Sequence, residues 1–271
     1  MTAGDIIVVN ENTNGRKANI YDGTDDYVLH DAHAVARVAA NDTVGTYTAW
    51  IYLDNADSDA AILSAGDNNA TNEFMMFAVD SNKKLWIFLQ QGGATKFSVR
   101  ETTGSIPLKT WTHVAIVQNG TRPILYVNGL AITMTDATST DLTFWYDELT
   151  LTDKFAIGTK ESNATHTNDW PGAIGQVKYW NEALTATQIL ADKNRTDYGT
   201  PALNITMEDD GTTDSGSGAD NGTLTGHAHY GGYVSAYSQA IARNITGHTA
   251  ETINTIDKGN GNYESVIRRG D

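Results

Sequence analysis

Polar and apolar residues alternate with a period of two along much of the chain. In residues 46–53, one face carries Tyr47, Ala49, Ile51 and Leu53, and the other carries Thr48, Trp50 and Tyr52. Because successive side chains of a strand point to opposite faces, this pattern predicts a β-strand covered on both sides. Comparable runs predict further strands at residues 60–64, 73–79, 85–90, 95–100, 113–118, 124–127 and 130–134.

Short polar turns separate these runs. The Asn128-Gly129 pair lies between two apolar runs, and both central residues of a type I′ hairpin turn need positive φ, which Asn and Gly tolerate best. Short turns between evenly spaced strands predict an all-β, two-sheet antiparallel sandwich rather than βαβ units. One short helix is expected near residues 184–193, where Thr185 and Gln188 have the spacing of a capping box.

We expect three segments along the chain. Residues 1–17 form an N-terminal strand or arm, residues 18–232 the sandwich, and residues 233–271 a C-terminal extension. The extension is nearly balanced in charge and holds large apolar residues that include Tyr233, Tyr237, Ile241, Ile245, Tyr263 and Ile267. Exposed apolar area tends to find a partner surface, which predicts an arm for assembly into a homo-oligomer or onto other proteins. Docking on the chain's own sandwich and a weakly ordered tail are the alternatives.

The net charge and the cysteine content limit the binding partners and the kinds of covalent and metal site that the chain can have. The formal net charge is −15 in 271 residues, so nucleic acid and an anionic membrane would be repelled. There are no cysteines, which excludes disulfides and thiolate zinc sites. The first residues have no basic region and only a short apolar run, and we expect neither a signal peptide nor a membrane span.

Four segments together resemble the laminin G-like, concanavalin A-type superfamily. They are an opening strand with an Asp-Gly turn in residues 18–28, an aromatic strand in 47–52, two strands joined by a tight turn in 111–129, and a closing strand entering a helix in 172–185. This resemblance spans residues 18–195 and implies a jelly-roll sandwich. Members of the superfamily include lectins, adhesion modules, glycan hydrolases, lyases and structural spacers, so the fold does not decide the function.

Catalytic patterns of the glycan-cleaving relatives are missing from the sequence. Retaining hydrolysis needs two carboxylates about 5 Å apart, and no Glu-x-Asp-x-x-Glu motif occurs. Asp147 and Glu148 are adjacent and would point to opposite faces of a strand. The sequence therefore predicts a protein that is not an enzyme.

Calcium is the cofactor that the acidic turns allow, although no cofactor is required by any motif. Asp22, Asp25 and Asp26 cluster in one turn, and carboxylates are the ligands that calcium prefers. The alternative is that these side chains cap backbone amides of their own turn.

Aromatic residues in predicted loops are the candidates for carbohydrate binding, because flat rings stack on sugar faces. The candidates are Trp145, Tyr146, Asn168 and Trp170. A plug over the edge of the sandwich is the alternative for these residues.

The leading functional expectation is a structural virion-surface protein, a capsid decoration or head-fibre subunit that contacts capsid proteins. The reasons are the adhesion-type module, the lack of a signal peptide and the extension suited to docking. The alternative is a lectin-like module of a secreted or cell-surface protein that binds cell-surface glycans. A glycan hydrolase or lyase ranks last.

Overall fold

A computed structural model of the protein contains two large antiparallel sheets. The structure describes residues 18–194, 199–207 and 212–225 and the backbone of three further strands. The elements in chain order are β1 (Ala18–Asp22), β2 (Tyr27–Leu29), α1 (Asp31–Ala40), β3 (Gly45–Leu53), β4 (Ala60–Gly66), β5 (Phe74–Val79), β6 (Leu85–Gln91), β7 (Ala94–Glu101), β8 (Thr112–Gln118), β9 (Pro123–Val127), β10 (Leu130–Ala131), β11 (Met134–Ser139), β12 (Lys154–Ile157), β13 (Lys160–Ser162), β14 (Thr165–Thr167), β15 (Pro171–Trp180), α2 (Ala186–Lys193), β16 (Leu203–Ile205), β17 (Thr223–Thr225), β18 (His229–Gly231), β19 (Thr252–Asp257) and β20 (Tyr263–Arg268).

Strand order shows a jelly-roll sandwich. Sheet A runs β10-β9-β8-β3-β15-β1-β18, with β16 also paired to β15, and sheet B runs β11-β7-β6-β5-β4-β12-β2-β17. Pairing is antiparallel in both sheets. The predicted all-β, concanavalin A-like architecture is confirmed.

The core lies between the two sheets and follows the alternation of the strands. In sheet A, Tyr47 and Ile51 of β3 are fully buried in the inter-sheet cluster, whereas Trp50 belongs to a separate cluster on the outer face. In sheet B, Ile87 of β6 faces the same core, and Trp86 lies on the outer face. Each large apolar side chain buried in this way contributes roughly 1.5–3 kcal/mol to folding.

The predicted helix is confirmed as α2. Thr185 caps it, since the Thr185 hydroxyl accepts the backbone N–H of Gln188 while the Gln188 side chain accepts the backbone N–H of Thr185. The prediction of a single helix is wrong, because α1 also forms. That helix has no side-chain cap at its start, and tertiary contacts stabilise it instead: His33 is fully buried, with Nε2 2.7 Å from the Tyr47 hydroxyl.

The predicted hairpin at Asn128-Gly129 is confirmed by φ angles of 51° and 83° at these residues. The strand predicted at residues 130–134 does not continue unbroken, however. Its first two residues form β10 in sheet A, and the chain crosses at Ile132 and Thr133 to sheet B, where β11 begins. Period-two alternation alone does not reveal a strand that changes sheets.

Parts of the predicted terminal segments lie outside the described residues. These are residues 1–17 and, in the extension, Tyr233, Tyr237, Ile241 and Ile245. Tyr263 and Ile267 belong to β20, whose backbone pairs antiparallel with β19. The assembly role of the extension stays a prediction. In the described residues, no helix has the length and apolar character needed to cross a membrane.

Candidate functional site

The loop aromatics predicted to bind sugar do not form a ligand site. Trp145, Tyr146 and Trp170 are each 0% exposed. Trp145 Nε1 donates to the Tyr179 hydroxyl at 3.2 Å, and the Tyr146 and Tyr47 hydroxyls are 2.5 Å apart. A ring enclosed on all sides has no face to offer a sugar, so these three residues close the sandwich edge, which was the alternative.

Asn168 has a structural part in the same region. Its φ is 58°, and its side-chain amide donates to the Asp59 carbonyl at 3.2 Å. The backbone carbonyl of Asn168 accepts the Ala61 amide at 2.7 Å. Asn168 thereby links the loop before β15 to the start of β4.

The three predicted calcium ligands do come together. One carboxylate oxygen from each of Asp22, Asp25 and Asp26 lies within 4.8 Å of the other two. The same turn also shows the capping alternative, because Asp22 Oδ1 accepts the Thr24 amide at 2.8 Å and Asp26 Oδ2 accepts the Asp22 amide at 2.9 Å. A carboxylate has two oxygens, so capping and ion binding are compatible.

A fourth carboxylate strengthens the negative potential of this rim. Partial burial raises the pKa of Asp169, the Thr159 hydrogen bond opposes that rise, and the charges of Asp22 and Asp25 add to it. A bound cation would relieve the repulsion that Asp22 and Asp25 exert on Asp169. The chemistry of the oxygen donors fits calcium, a hard ion that takes carboxylate oxygens.

A second candidate site lies on the outer face of sheet B, where three aromatic rings form a row. The Phe74 and Phe88 rings are stacked with centroids 5.2 Å apart, and Trp86 meets Phe88 edge to face at 5.7 Å. Phe74 and Trp86 are largely covered, while Phe88 in the middle is partly exposed. These three residues, termed the aromatic row, form a cluster separate from the inter-sheet core.

Two cations cover the ends of the aromatic row. The Arg100 guanidinium lies 3.9 Å from the Trp86 ring centroid, and the Lys160 ammonium lies 4.2 Å from that of Phe74. Cations above aromatic faces are attracted by the ring quadrupole. Trp86 Nε1 donates to the Ser98 hydroxyl at 2.9 Å, which restrains the indole. The face thus presents a ring between two positive charges.

The β13–β14 hairpin carries Lys160 and is held tightly against sheet B. The Ser64 hydroxyl donates to the Thr159 carbonyl at 3.0 Å and accepts the Glu161 amide at 2.8 Å. A Cβ on Gly66 would lie 2.3 Å from the Glu161 carbonyl oxygen, so only glycine permits this approach. The hairpin therefore holds the Lys160 side chain at a defined place beside the aromatic row.

A partly buried acid–base pair also anchors the hairpin. The Glu161 carboxyl contacts His166 Nε2, and the His166 ring stacks on Tyr27 at 4.0 Å. Burial raises the pKa of Glu161 to about 7, against the lowering effect of nearby Lys154. Burial also lowers the pKa of His166.

The aromatic row was not among the candidate sites predicted from the sequence. A signal exists in β6, where Leu85, Ile87 and Leu89 are aliphatic and Trp86 and Phe88 are aromatic. Aromatic residues on the face opposite a complete aliphatic core row indicate a second apolar surface.

Comparisons with known proteins agree with the fold. The model of the concanavalin A-like lectin/glucanases superfamily matches residues 22–190. No curated protein matches the sequence. Among solved structures, the CBM40 module of the Ruminococcus gnavus IT-sialidase is similar with a TM-score of 0.56 and 16% identity, covering 66% of this chain and 96% of that one.

Two further structures contain a bound sugar. The same CBM40 module bound to α2,3-sialyllactose has a TM-score of 0.55 and 14% identity, with 66% of this chain and 96% of that chain covered. The leech intramolecular trans-sialidase complexed with 2,7-anhydro-Neu5Ac has a TM-score of 0.54 and 18% identity, with 68% and 28% covered. At these identities the likeness concerns the fold. Because the family model matches more than half of the chain, the protein belongs to the concanavalin A-like lectin/glucanase superfamily.

Proposed function

We propose that this protein is a glycan-binding, lectin-like module of an extracellular or cell-surface protein, and that its ligand lies across the aromatic row. The observation that carries the proposal is the partly exposed Phe88 ring flanked by Arg100 and Lys160. The apolar C–H face of a pyranose packs on an aromatic ring, while charged groups at its edges bind the ring substituents. The CBM40 module that resembles this chain binds sialyllactose, which supports the same class of ligand here.

Binding without catalysis is part of the proposal. The similar structures include binding modules and also sialidases, so fold leaves both open. The sequence lacks the same-face carboxylate motif of glycan-cleaving relatives, and the aromatic row is bordered by cations instead of a carboxylate pair. Incubation of the protein with the glycans that it binds is expected to release no product.

Phe88→Ala is expected to weaken glycan binding about tenfold or more, which corresponds to about 1.4 kcal/mol. The substitution removes the partly exposed ring on which the sugar would stack. A glycan array followed by titration calorimetry on the bound glycans measures the loss. Because Phe88 lies outside the inter-sheet core, the variant is expected to unfold cooperatively like the wild type.

Phe144→Ala is the matched control. The Phe144 ring also lies beneath a lysine ammonium, that of Lys96 at 5.0 Å, but it packs against the inter-sheet core. Its loss is expected to lower stability and to leave the affinity of the folded protein unchanged. Equal affinities of wild type and Phe88→Ala would refute the proposed site, and an array with no bound glycan would refute the function.

Calcium binding at Asp22, Asp25 and Asp26 is a separate proposal. A ligand that binds only the folded state stabilises it by RT ln(1 + [L]/Kd), about 2.7 kcal/mol at one hundred times Kd. Millimolar calcium is therefore expected to raise the melting temperature by several degrees, and Asp25→Asn is expected to abolish the shift.

Asp57→Asn is the control for calcium, because Asp57 lies exposed in another acidic turn and its loss is expected to leave the shift intact. Identical melting curves in calcium and in chelator would contradict the proposal.

The virion-surface role, with capsid partners and homo-oligomers, stays a prediction that the comparisons do not bear on. The genes that neighbour the gene of this protein test the role. Capsid or portal genes would support the virion-surface role, whereas a glycan-utilisation cluster would support the lectin-like module.

A further inference from the structure

Lys160 is a cation without a counter-charge in the part of the chain that the structure describes. It is half-buried at the start of β13, with its ammonium over the Phe74 ring. Among the described residues, no carboxylate forms an ion pair with it and no hydrogen bond accepts its protons. Burial lowers its pKa, because desolvation disfavours the charged ammonium.

The other cation of the row is already neutralised. Arg100 Nη1 lies 2.9 Å from Asp80 Oδ2, and this carboxylate is 2% exposed. The Arg100 guanidinium is further held on the Trp86 ring. Arg100 therefore has its ion-pair partner within the chain, whereas the ammonium of Lys160 has none in the described part.

Lys83 and Lys109 also form no ion pair among the described residues, but they are exposed, whereas Lys160 is half-buried over an aromatic ring. At Lys160 the nearby carboxyl of Glu161 contacts His166 instead, and Lys154 pairs with Asp31 at 2.6 Å. Among the described residues, the Lys160 ammonium therefore stays unpaired beside the aromatic row.

On the basis of the glycan-binding role proposed above, we infer that the ligand of the aromatic row carries an anionic group, a carboxylate or a sulfate, and that Lys160 receives it. A charge-assisted hydrogen bond to the ligand would compensate the half-buried ammonium. The net negative charge of the protein repels anions at long range, so a local unmatched cation is the element that makes an anionic sugar acceptable at this face.

Three probes that share a core test the inference by titration calorimetry: lactose, 3′-sialyllactose and 3′-sulfated lactose. The wild type is expected to bind one or both anionic probes about tenfold more tightly than lactose. The ratio of the two anionic affinities distinguishes a carboxylate from a sulfate ligand.

Lys160→Met keeps an unbranched stem over Phe74 and removes the charge. It is expected to lower the affinity for the anionic probes about tenfold and to abolish the preference for them over lactose. Lys160→Arg is expected to retain the preference. Lys193→Met is the matched control, since it removes the same charge from α2, which packs on the opposite sheet.

The outcomes separate the two proposals. If the wild type binds lactose and the anionic probes equally, or if Lys160→Met keeps the wild-type preference, the anionic inference is overturned while the glycan-binding role stands. If none of the probes binds and the glycan array is also blank, the glycan-binding role itself is overturned.

Discussion

Replacing Asp192 by Ala is expected to lower the free energy of unfolding by about 3–5 kcal/mol. Asp192 lies in α2, and its carboxylate is 3% exposed. Its Oδ2 is 3.1 Å from His113 Nε2, and its Oδ1 is 2.6 Å from Lys178 Nζ. Alanine would leave the nearly buried lysine and histidine without their carboxylate, which is costly in a site with little access to water.

Geometry explains why a single carboxylate is so important here. His113 belongs to β8 and Lys178 to β15, and β3 lies between these strands in sheet A. Asp192 therefore fastens α2 across three strands. Ile189, one turn earlier, packs with Trp180 and Tyr126 on the same face, so loosening of the helix also exposes apolar surface.

Two further variants isolate the ionic part in chemical denaturation. Asp192→Asn keeps the size of the side chain, and we expect it to lower the free energy of unfolding by less than Asp192→Ala does. Thr187→Ala changes an exposed residue of the same helix and is expected to stay within about 0.5 kcal/mol of the wild type. A loss below about 1 kcal/mol in Asp192→Ala would show that the ion pair contributes little to stability.

The pH dependence of this stabilisation follows from the direction in which folding changes the pKa of Asp192. Burial by itself would raise the pKa of Asp192, but the His113 hydrogen bond and the Lys178 charge outweigh it, and the pKa falls well below the ordinary value of 3.8. A carboxyl with a depressed folded-state pKa stabilises the protein above its unfolded pKa and loses that effect as the pH falls. The stability difference between wild type and Asp192→Ala is thus expected to be complete near pH 6 and to shrink below about pH 4.

Trp145→Ala is expected to cost about 3–5 kcal/mol as well, as large-to-small replacements of buried aromatic residues do. The Trp145 ring is fully enclosed beside Tyr47 and Tyr146, with centroids 6.0 and 5.7 Å away. Its removal leaves a cavity and takes away the hydrogen bond that the indole donates to the Tyr179 hydroxyl. Thermal or denaturant unfolding measures the loss.

Glycan affinity separates this residue from the aromatic row. At a temperature where the variant is folded, Trp145→Ala is expected to bind glycan as the wild type does, and Trp145→Phe is expected to recover part of the stability. If Trp145→Ala lost glycan binding but kept the stability of the wild type, Trp145 would have to be part of the ligand site. That result would contradict the burial of its ring.

Local sequence signals determined the elements that depend on neighbouring residues. Alternation placed β3, β5, β6 and β8 to within two residues, the Asn128-Gly129 pair determined its hairpin, and Thr185 with Gln188 determined the start of α2. Side-chain direction, positive φ and capping are set within a few residues of the chain. The Asp22–Asp26 cluster also followed from sequence, since one short turn brings its carboxylates together.

Tertiary structure alone decided which aromatic residues meet solvent and which charges stay unmatched. Trp145 and Trp170 lie outside the long apolar runs, yet the sheets close over them, whereas Phe88 lies in a strand and is partly exposed. Lys160 comes to Phe74 from 86 residues further along the chain, by packing of the β13–β14 hairpin on sheet B. Burial and charge pairing depend on contacts between distant segments, and a period-two pattern describes the two faces of a strand without showing what covers each one.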